Sequence, residues 1–181
     1  MILYHGTNKD FDKIDITKSN IKSDFGIGYY LTNDYNTAKE WSKRKKGDSI
    51  VLSYEIDDDI IEKFGYKIMD KYEWINIVML YRDINKDINE LINLKDFYDN
   101  KTILIGPILD NNFFKKLIRI TSTRDISEFF ISNLELNNSL QYRINQNGID
   151  ILDLDSKLIN KEFIGNDFNL EWSDLKWKTK M

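Results

Sequence analysis

The order of strand-like and helix-like segments in the first third of the chain constrains the fold more than any other feature. Residues 2–5 form a short apolar segment that predicts a strand ending at Gly6, and residues 24–32 predict a glycine-hinged turn that leads into a second strand. Residues 34–46 predict a helix, because polar cap side chains precede it and a basic turn followed by glycine ends it. A third strand is predicted at residues 49–56, where apolar side chains alternate.

The rest of the chain adds shorter elements of both kinds. Residues 72–81 predict an apolar helix, and residues 102–105 predict a strand that Pro107 closes, since the residue before a proline is pushed towards extended geometry. Because strands and helices do not alternate strictly, the sequence favours an α+β fold over a doubly wound parallel sheet. No linker or repeat divides the chain, so residues 1–181 predict a single domain, in which the tail from about residue 156 has no assigned element. The remaining predictions are a turn at 57–59, helices at 111–120 and 124–135, and strands at 139–144 and 149–154.

Composition excludes several classes of site. The 181 residues contain no cysteine and a single histidine, so disulfides and a thiolate nucleophile are excluded, and we expect no metal site. The formal net charge of −4 disfavours a protein that binds nucleic acid through a basic surface without regard to sequence, although a nucleic-acid substrate stays open. The sequence shows neither a basic leader followed by an apolar segment nor a stretch of about 18 consecutive apolar residues. We therefore expect a cytoplasmic protein without a membrane partner.

Three short motifs follow one another in the N-terminal part of the chain. They are Tyr-His-Gly-Thr at residues 4–7, Phe-Gly-Ile-Gly-Tyr-Tyr-Leu-Thr at residues 25–32 and Ala-Lys-Glu-Trp at residues 38–41. Together they resemble the N-terminal signature of the ADP-ribosyltransferase superfamily, in the histidine–tyrosine branch that includes the poly-ADP-ribose polymerases and diphtheria-type toxins. They resemble in particular a bacterial group that also carries an Ile-Gly-Pro element, here at residues 105–107. The resemblance implies an ADP-ribosyltransferase-like α+β fold with split β-sheets, flanking helices and an NAD cleft.

The same resemblance implies the residues of the site. His5, Tyr30 and Gln141 are the predicted catalytic residues, and Gln146 competes with Gln141 because the late strand can be aligned with either. NAD is the predicted substrate, and no metal is implied. The residues implied to bind NAD are His5, Gly6, Thr7, Gly28, Tyr30 and Trp41.

These residue types suit the departure of nicotinamide from NAD, which passes through an oxocarbenium-like transition state. His5 can hydrogen-bond the adenosine ribose, and the Gly6 backbone can pair with the nicotinamide carboxamide because no side chain stands in the way. Tyr30 and Trp41 can form two walls around the pyridinium, each contributing about 0.5 to 2 kcal/mol. Gln141 can orient the 2′-hydroxyl of the nicotinamide ribose, and replacing this neutral amide with glutamate is predicted to raise the rate about five- to thirtyfold.

These implications predict a glycosyltransferase that moves ADP-ribose from NAD to a macromolecule, either protein or nucleic acid, with NAD glycohydrolysis as a side activity. A neutral amide at the third catalytic position stabilises a cation less than a carboxylate does, which favours mono-ADP-ribosylation over polymer growth. By analogy with the resembling group, the protein is expected to be a toxin or phage-defence component with a small neutralising partner. Two alternatives stay open. One is a catalytically weak NAD-binding sensor or interaction module on the same fold, and the other is an α+β protein without ligand in which His5, Tyr30 and Trp41 are structural.

Overall fold

The computed structural model describes residues 1–44, 46–68, 70–82, 91–109 and 139–165. Within them the chain forms an α+β structure, in which helices flank a seven-stranded sheet. The strands are β1 (Ile2–Thr7), β2 (Tyr29–Thr32), β3 (Ser49–Glu55), β4 (Gly65–Lys67), β5 (Ile103–Pro107), β6 (Leu140–Ile144) and β7 (Leu158–Ile164). The helices are α1 (Tyr35–Ser42), α2 (Asp58–Phe64), α3 (Lys71–Tyr81), α4 (Leu91–Asp99) and α5 (Gln146–Leu152), with short 3₁₀ turns at Ile16–Lys18 and Leu154–Lys157.

The sheet runs in the order β4-β5-β6-β2-β1-β3-β7, and it nearly separates in the middle. β1 pairs with β3 along its whole length, from Ile2↔Glu55 to Thr7↔Ile50, but it pairs with β2 at Tyr4↔Thr32 alone. Hydrogen bonds therefore join the strands into one sheet, and the prediction of split sheets is wrong for the described strands. The physical reason is this single backbone pair, which holds the two halves together before β1 and β2 diverge.

Two apolar clusters cover opposite faces of the sheet. Ile103 and Ile105 of β5 belong to the first cluster, whereas Leu104 between them belongs to the second, as the two-residue period of a strand requires. The first cluster also holds Leu3 and Leu52 from the other half of the sheet. The second is built on α3, which buries Trp74 and six further side chains. This half of the sheet is consequently fixed from both sides.

Helix α1 packs directly on β1. Its N-cap is Asp34, whose carboxylate accepts hydrogen bonds from the backbone of Asn36 (3.2 Å) and Thr37 (3.1 Å). A Cβ at Gly6 would overlap the carbonyl oxygen of Ala38, so the helix can approach β1 this closely only because residue 6 is glycine. The helix ends at Ser42, earlier than the predicted residue 46.

The local sequence signals placed most of the described elements correctly. The predictions of β1, β2, α1 and β3 are confirmed, as are α3, β5 and β6. Helix α3 begins one residue before the predicted range, and Asp70 caps it through bonds to the backbone of Tyr72 and Glu73. The predicted helices at 111–120 and 124–135 lie outside the described residues. None of the helices in the described ranges is both long and apolar enough to cross a membrane.

Two predictions near acidic segments are wrong. The turn predicted at 57–59 is the start of α2, since carboxylates in a first helical turn interact favourably with the helix dipole and Ile61 and Phe64 lie one turn apart on the apolar face. The strand predicted at 149–154 is helix α5 followed by a 3₁₀ turn. Asn145 caps α5, and its buried residues recur with helical spacing, which a short apolar segment does not reveal by itself.

The part of the chain after about residue 156, for which the sequence indicated no element, contains an edge strand. β7 pairs antiparallel with β3 from Ser49↔Ile164 to Tyr54↔Leu158, with a bulge beside Tyr54. Most of its side chains are exposed, so it lacks the apolar alternation by which a half-buried strand is recognised.

Candidate functional site

A cavity of about 660 Å³ opens where β1 and β2 diverge. Its volume lies within the range of roughly 300–1,000 Å³ found for small-molecule and cofactor sites. Side chains and backbone from β1, β2, α1, β6 and the loop that precedes β2 line it together. The cavity therefore brings together segments that are more than 100 residues apart in the chain.

The backbone of Gly6 has an open hydrogen-bonding edge at this cavity. Met1 and Ile56 exchange two backbone hydrogen bonds of 2.7 and 2.9 Å, so the alternation of an antiparallel ladder turns the N–H and C=O of residues 2, 4 and 6 towards β2. Tyr4 uses this edge to pair with Thr32, and the register of β1 with β2 ends there. Gly6 lines the cavity with one backbone donor and one backbone acceptor directed into the space between the strands.

The imidazole of His5 bridges the diverging strands. Its Nδ1 lies 2.7 Å from the carbonyl oxygen of Tyr30, and because a carbonyl can only accept, Nδ1 carries the proton. Nε2 is then an acceptor, and no described residue donates to it. The ring also stacks on Tyr29, with centroids 4.2 Å apart. Burial lowers the pKa of His5 to about 4, with the hydrogen bond to Tyr30 opposing the shift only in part.

His5 should remain neutral across the physiological pH range. The chain has one histidine, so its imidazole proton resonances in an NMR titration are unambiguous, and we expect them to move near pH 4 and not near 6.5. Since the unfolded chain binds this proton more tightly, the free energy of unfolding should fall as the pH drops from about 6.5 to 4, by up to about 3 kcal/mol. His5→Gln should lack this component of the pH dependence. A histidine that titrates near pH 6.5 in the folded protein would contradict the neutral, half-buried ring.

Tyr30 is held by its hydroxyl group. The hydroxyl donates to the carbonyl of Gly26 (2.7 Å) and accepts from the backbone of Phe25 (3.1 Å), and burial raises the pKa of Tyr30. Gly26 has φ +76°, a conformation that favours glycine, and this turn brings its carbonyl to the tyrosine. The ring of Tyr30 therefore lines the cavity, while its hydroxyl is hydrogen-bonded to the turn that leads into β2.

Gln141 lines the same cavity from β6, and its amide orientation is fixed. Its side chain is 3% exposed, and Nε2 donates to Asp24 Oδ2 (2.8 Å) and to the carbonyl of Pro107 (3.0 Å). Both partners can only accept, so the nitrogen must point towards them and Oε1 is left as an acceptor. The competing residue Gln146 is exposed at the start of α5, where it contacts Asp150, and it does not line the cavity. Of the two glutamines, the structure brings Gln141 to the other predicted residues.

The remaining predicted residues line the same cavity but differ in the contacts that they make within the protein. Trp41 is half-buried, and the guanidinium of Arg44 lies 5.8 Å from its ring centroid. The Thr7 hydroxyl is used in a local turn, because it donates to the Lys9 carbonyl (3.1 Å) and accepts from the Lys9 N–H (3.2 Å). The N–H of Gly28 donates to the Ser19 hydroxyl at 3.2 Å. Thr7 and Gly28 therefore shape the cavity, whereas Trp41 offers it an aromatic surface.

A model of the family described as "Protein of unknown function (DUF3990)" matches residues 1–151. The chain belongs to this family. No curated protein and no solved structure matches the chain. The residues around the cavity all lie within the matched part, whereas β7 of this DUF3990 chain lies beyond it.

Sequence reasoning missed the charged residues of the DUF3990 cavity. Asp24 is 6% exposed, and the sequence indicated only that it begins the turn predicted at residues 24–32. Arg82 follows α3, in a segment that none of the motifs covers, and nothing in the sequence indicates that it reaches the site. The three acids in the lining are paired, Asp10 with Lys161, Asp15 with Lys18 and Asp24 with Arg82. The cations in the lining are Lys9, Lys13, Lys18, Lys22, Arg44 and Arg82, so its charge is positive although the chain is acidic overall.

The acidic side chains that line the DUF3990 cavity are not grouped as the ligands of a metal ion would be. Across the described ranges, no three His, Cys, Asp or Glu side chains are grouped so that they could hold a metal ion. The groups that the described part of the cavity offers to a ligand are the Gly6 backbone, the neutral His5, the Gln141 amide and the cationic lining.

Proposed function

We propose that this DUF3990 protein binds NAD in the cavity and transfers ADP-ribose to a macromolecule with release of nicotinamide. The observation that carries the proposal is the open backbone edge of Gly6 beside His5. A carboxamide needs one acceptor for its N–H and one donor for its C=O, and Gly6 offers both on one strand edge. The NAD glycohydrolase side activity would result when water replaces the macromolecular acceptor.

The neutral state of His5 suits recognition of a ribose. With Nδ1 bound to Tyr30, Nε2 can accept a hydrogen bond from a ribose hydroxyl at any pH well above 4. The diphosphate of NAD brings negative charge, and the lysines and arginines in the lining complement it. These features support NAD over an uncharged nucleoside of the same size.

The transfer requires the bond between C1′ of the ribose and the pyridinium nitrogen to break. Its electron pair leaves with nicotinamide, the ribose becomes an oxocarbenium-like cation, and a nucleophile of the acceptor bonds to C1′ and loses its proton. Gln141 Oε1 can accept from the ribose 2′-hydroxyl, while Tyr30 and Trp41 supply ring surfaces for the pyridinium. Since Gln141 is neutral, we propose a single transfer and not polymer growth.

A second candidate is an NAD-binding sensor or interaction module with little turnover. It is favoured because polar groups at the cavity already have partners within the protein. The Tyr30 hydroxyl donates to the Gly26 carbonyl, and the Asp24 carboxylate is paired with Arg82. Neither of them offers a general base to an acceptor. A toxin or phage-defence role with a small neutralising partner stays part of the proposal on the resemblance alone.

NAD binding and turnover separate these candidates. We expect millimolar NAD to raise the melting temperature and to release heat in calorimetry, because a ligand of the native state must stabilise it, by about 2.7 kcal/mol at 100 times its Kd. Label from NAD incubated with the protein and a cell lysate should appear in either the protein or the RNA fraction. Gln146→Ala changes a glutamine outside the cavity, so this variant should bind and turn over NAD as the parent does. Binding without label transfer or nicotinamide release would favour the sensor, and the absence of binding would exclude both candidates.

A further inference from the structure

Asp24 is a buried junction that links Arg82 to Gln141. Its Oδ1 accepts from Arg82, through Nε at 2.8 Å and through Nη2. Its Oδ2 accepts from Gln141 Nε2 at 2.8 Å and from the backbone of Leu109 at 3.3 Å. Each oxygen of this carboxylate therefore meets donors only, as an ionised carboxylate with no proton to donate can accept from all of them.

The hydrogen bond to Asp24 determines which end of the Gln141 amide faces the cavity. A side-chain amide has a donor and an acceptor end of nearly the same shape, so packing alone would tolerate either orientation. Asp24 Oδ2 and the Pro107 carbonyl, 2.8 and 3.0 Å from Nε2, both exclude the orientation with oxygen towards them. The cavity is thereby offered an acceptor, which is the group that a ribose hydroxyl requires.

We propose that Asp24 is the positioning residue of this site, and that its buried carboxylate is the reason why position 141 can work as glutamine and not as glutamate. The inference rests on the proposed NAD chemistry. Asp24 polarises the amide from behind, because a hydrogen bond from Nε2 to a carboxylate draws electron density towards Oε1. The negative charge that would stabilise an oxocarbenium-like cation is therefore carried by Asp24, which lies behind Gln141 and is held in place by Arg82.

This arrangement reverses the expectation for Gln141→Glu. The sequence alone predicts a faster enzyme, but in the structure the new carboxylate would face Asp24 and the Pro107 carbonyl at hydrogen-bonding distance. Two carboxylates this close share one proton, so the substitution adds no charge at the ribose and removes one of two hydrogen bonds. We now expect Gln141→Glu to be no faster than the parent and to be less stable.

The test combines kinetics with a signal from the amide itself. The chain holds two glutamines, Gln141 and Gln146, so selective labelling of glutamine side chains with ¹⁵N gives two amide signals, which Gln146→Ala assigns. In the parent, the Gln141 amide protons should exchange slowly with solvent and those of Gln146 quickly. In Asp24→Asn the Gln141 protons should lose protection, and kcat for nicotinamide release should fall by up to about 100-fold with KM for NAD changed much less. Asp57→Asn, an equal loss of charge at an exposed helix start, is the control.

The reciprocal variant protects the test from a simple loss of stability. In Asp24→Asn/Gln141→Glu, the asparagine nitrogen can donate to the new glutamate while its oxygen still accepts from Arg82, although the bonds to the Leu109 N–H and the Pro107 carbonyl are lost. We expect this double variant to turn over NAD at least about tenfold faster than either single variant, a coupling that independent structural damage would not produce. Equal protection of Gln141 in parent and Asp24→Asn, or a double variant that is no faster than the faster single variant, would overturn the role of Asp24. If the parent neither binds nor cleaves NAD, the proposed function fails, whereas the exchange measurement still decides whether Asp24 holds the amide.

Discussion

Gly6→Ala is expected to lower the free energy of unfolding by about 3 kcal/mol or more, because an added Cβ would approach a backbone atom more closely there than at the other glycines. A Cβ at residue 6 would overlap the Ala38 carbonyl oxygen and lie 2.8 Å from the Ser42 backbone nitrogen. Both neighbours are backbone atoms of α1, so neither can move aside as a flexible side chain would. The helix must shift away from β1, and Trp41 at the cavity must shift with it.

Denaturant unfolding followed by circular dichroism measures this loss. The matched control is Gly165→Ala, because a Cβ at that glycine would have no neighbour within 4 Å. For a chain of this length, 3 kcal/mol corresponds to a fall of roughly 6–12 °C in melting temperature. Equal stability of the two variants would show that α1 does not pack on β1 as closely as the structure has it.

The glycine also illustrates what the sequence can and cannot predict about this site. The sequence explains Gly6 by the space that a bound carboxamide needs. In the structure the missing side chain makes room for α1, and the open edge towards the cavity consists of backbone atoms that any residue carries. The binding role of Gly6 stays a prediction, whereas the structural reason for a glycine at this position is the packing of a helix that is more than 30 residues further along the chain.

Elements with local signals were predictable and those that depend on distant partners were not. α3 has a cap at Asp70 and an apolar sequence, and β5 has a terminal proline, so both can be recognised without their neighbours. The backbone pairing of β1 with β2 consists of the pair Tyr4↔Thr32, which no local pattern predicts. Among the described strands β7 lies at the edge and pairs with β3, and its exposed side chains follow no alternation.

The same division holds for the candidate site. His5, Tyr30 and Trp41 lie within motifs and were found from them. The hydrogen bond between Gln141 and Asp24 joins residues 117 positions apart, and Arg82 reaches the junction from a third segment. Because a charge network of this kind is created by folding, it changes the expected effect of a substitution at Gln141 even though that residue itself had been identified.

Trp41→Ala is expected to weaken NAD binding by about twofold to thirtyfold, the range that corresponds to one lost cation–π contact of 0.5 to 2 kcal/mol. Trp41 is half-buried at the cavity, with Arg44 as its cationic neighbour, so its removal should cost less stability than the loss of a core residue. Trp74→Ala is the matched control, because Trp74 is 2% exposed, donates from Nε1 to the Pro107 carbonyl at 2.9 Å and does not line the cavity.

The two tryptophans should therefore separate binding from folding. Trp74→Ala should lower the free energy of unfolding by about 3–5 kcal/mol, as expected for a buried tryptophan, and the fraction that stays folded should bind NAD with nearly the parent affinity. Trp41→Ala should show the opposite pattern when calorimetry with NAD and denaturant unfolding are carried out on the same preparation. If Trp41→Ala instead loses as much stability as Trp74→Ala while its affinity for NAD is unchanged, Trp41 is a packing residue and the aromatic wall of the proposed site must be sought at Tyr30 alone.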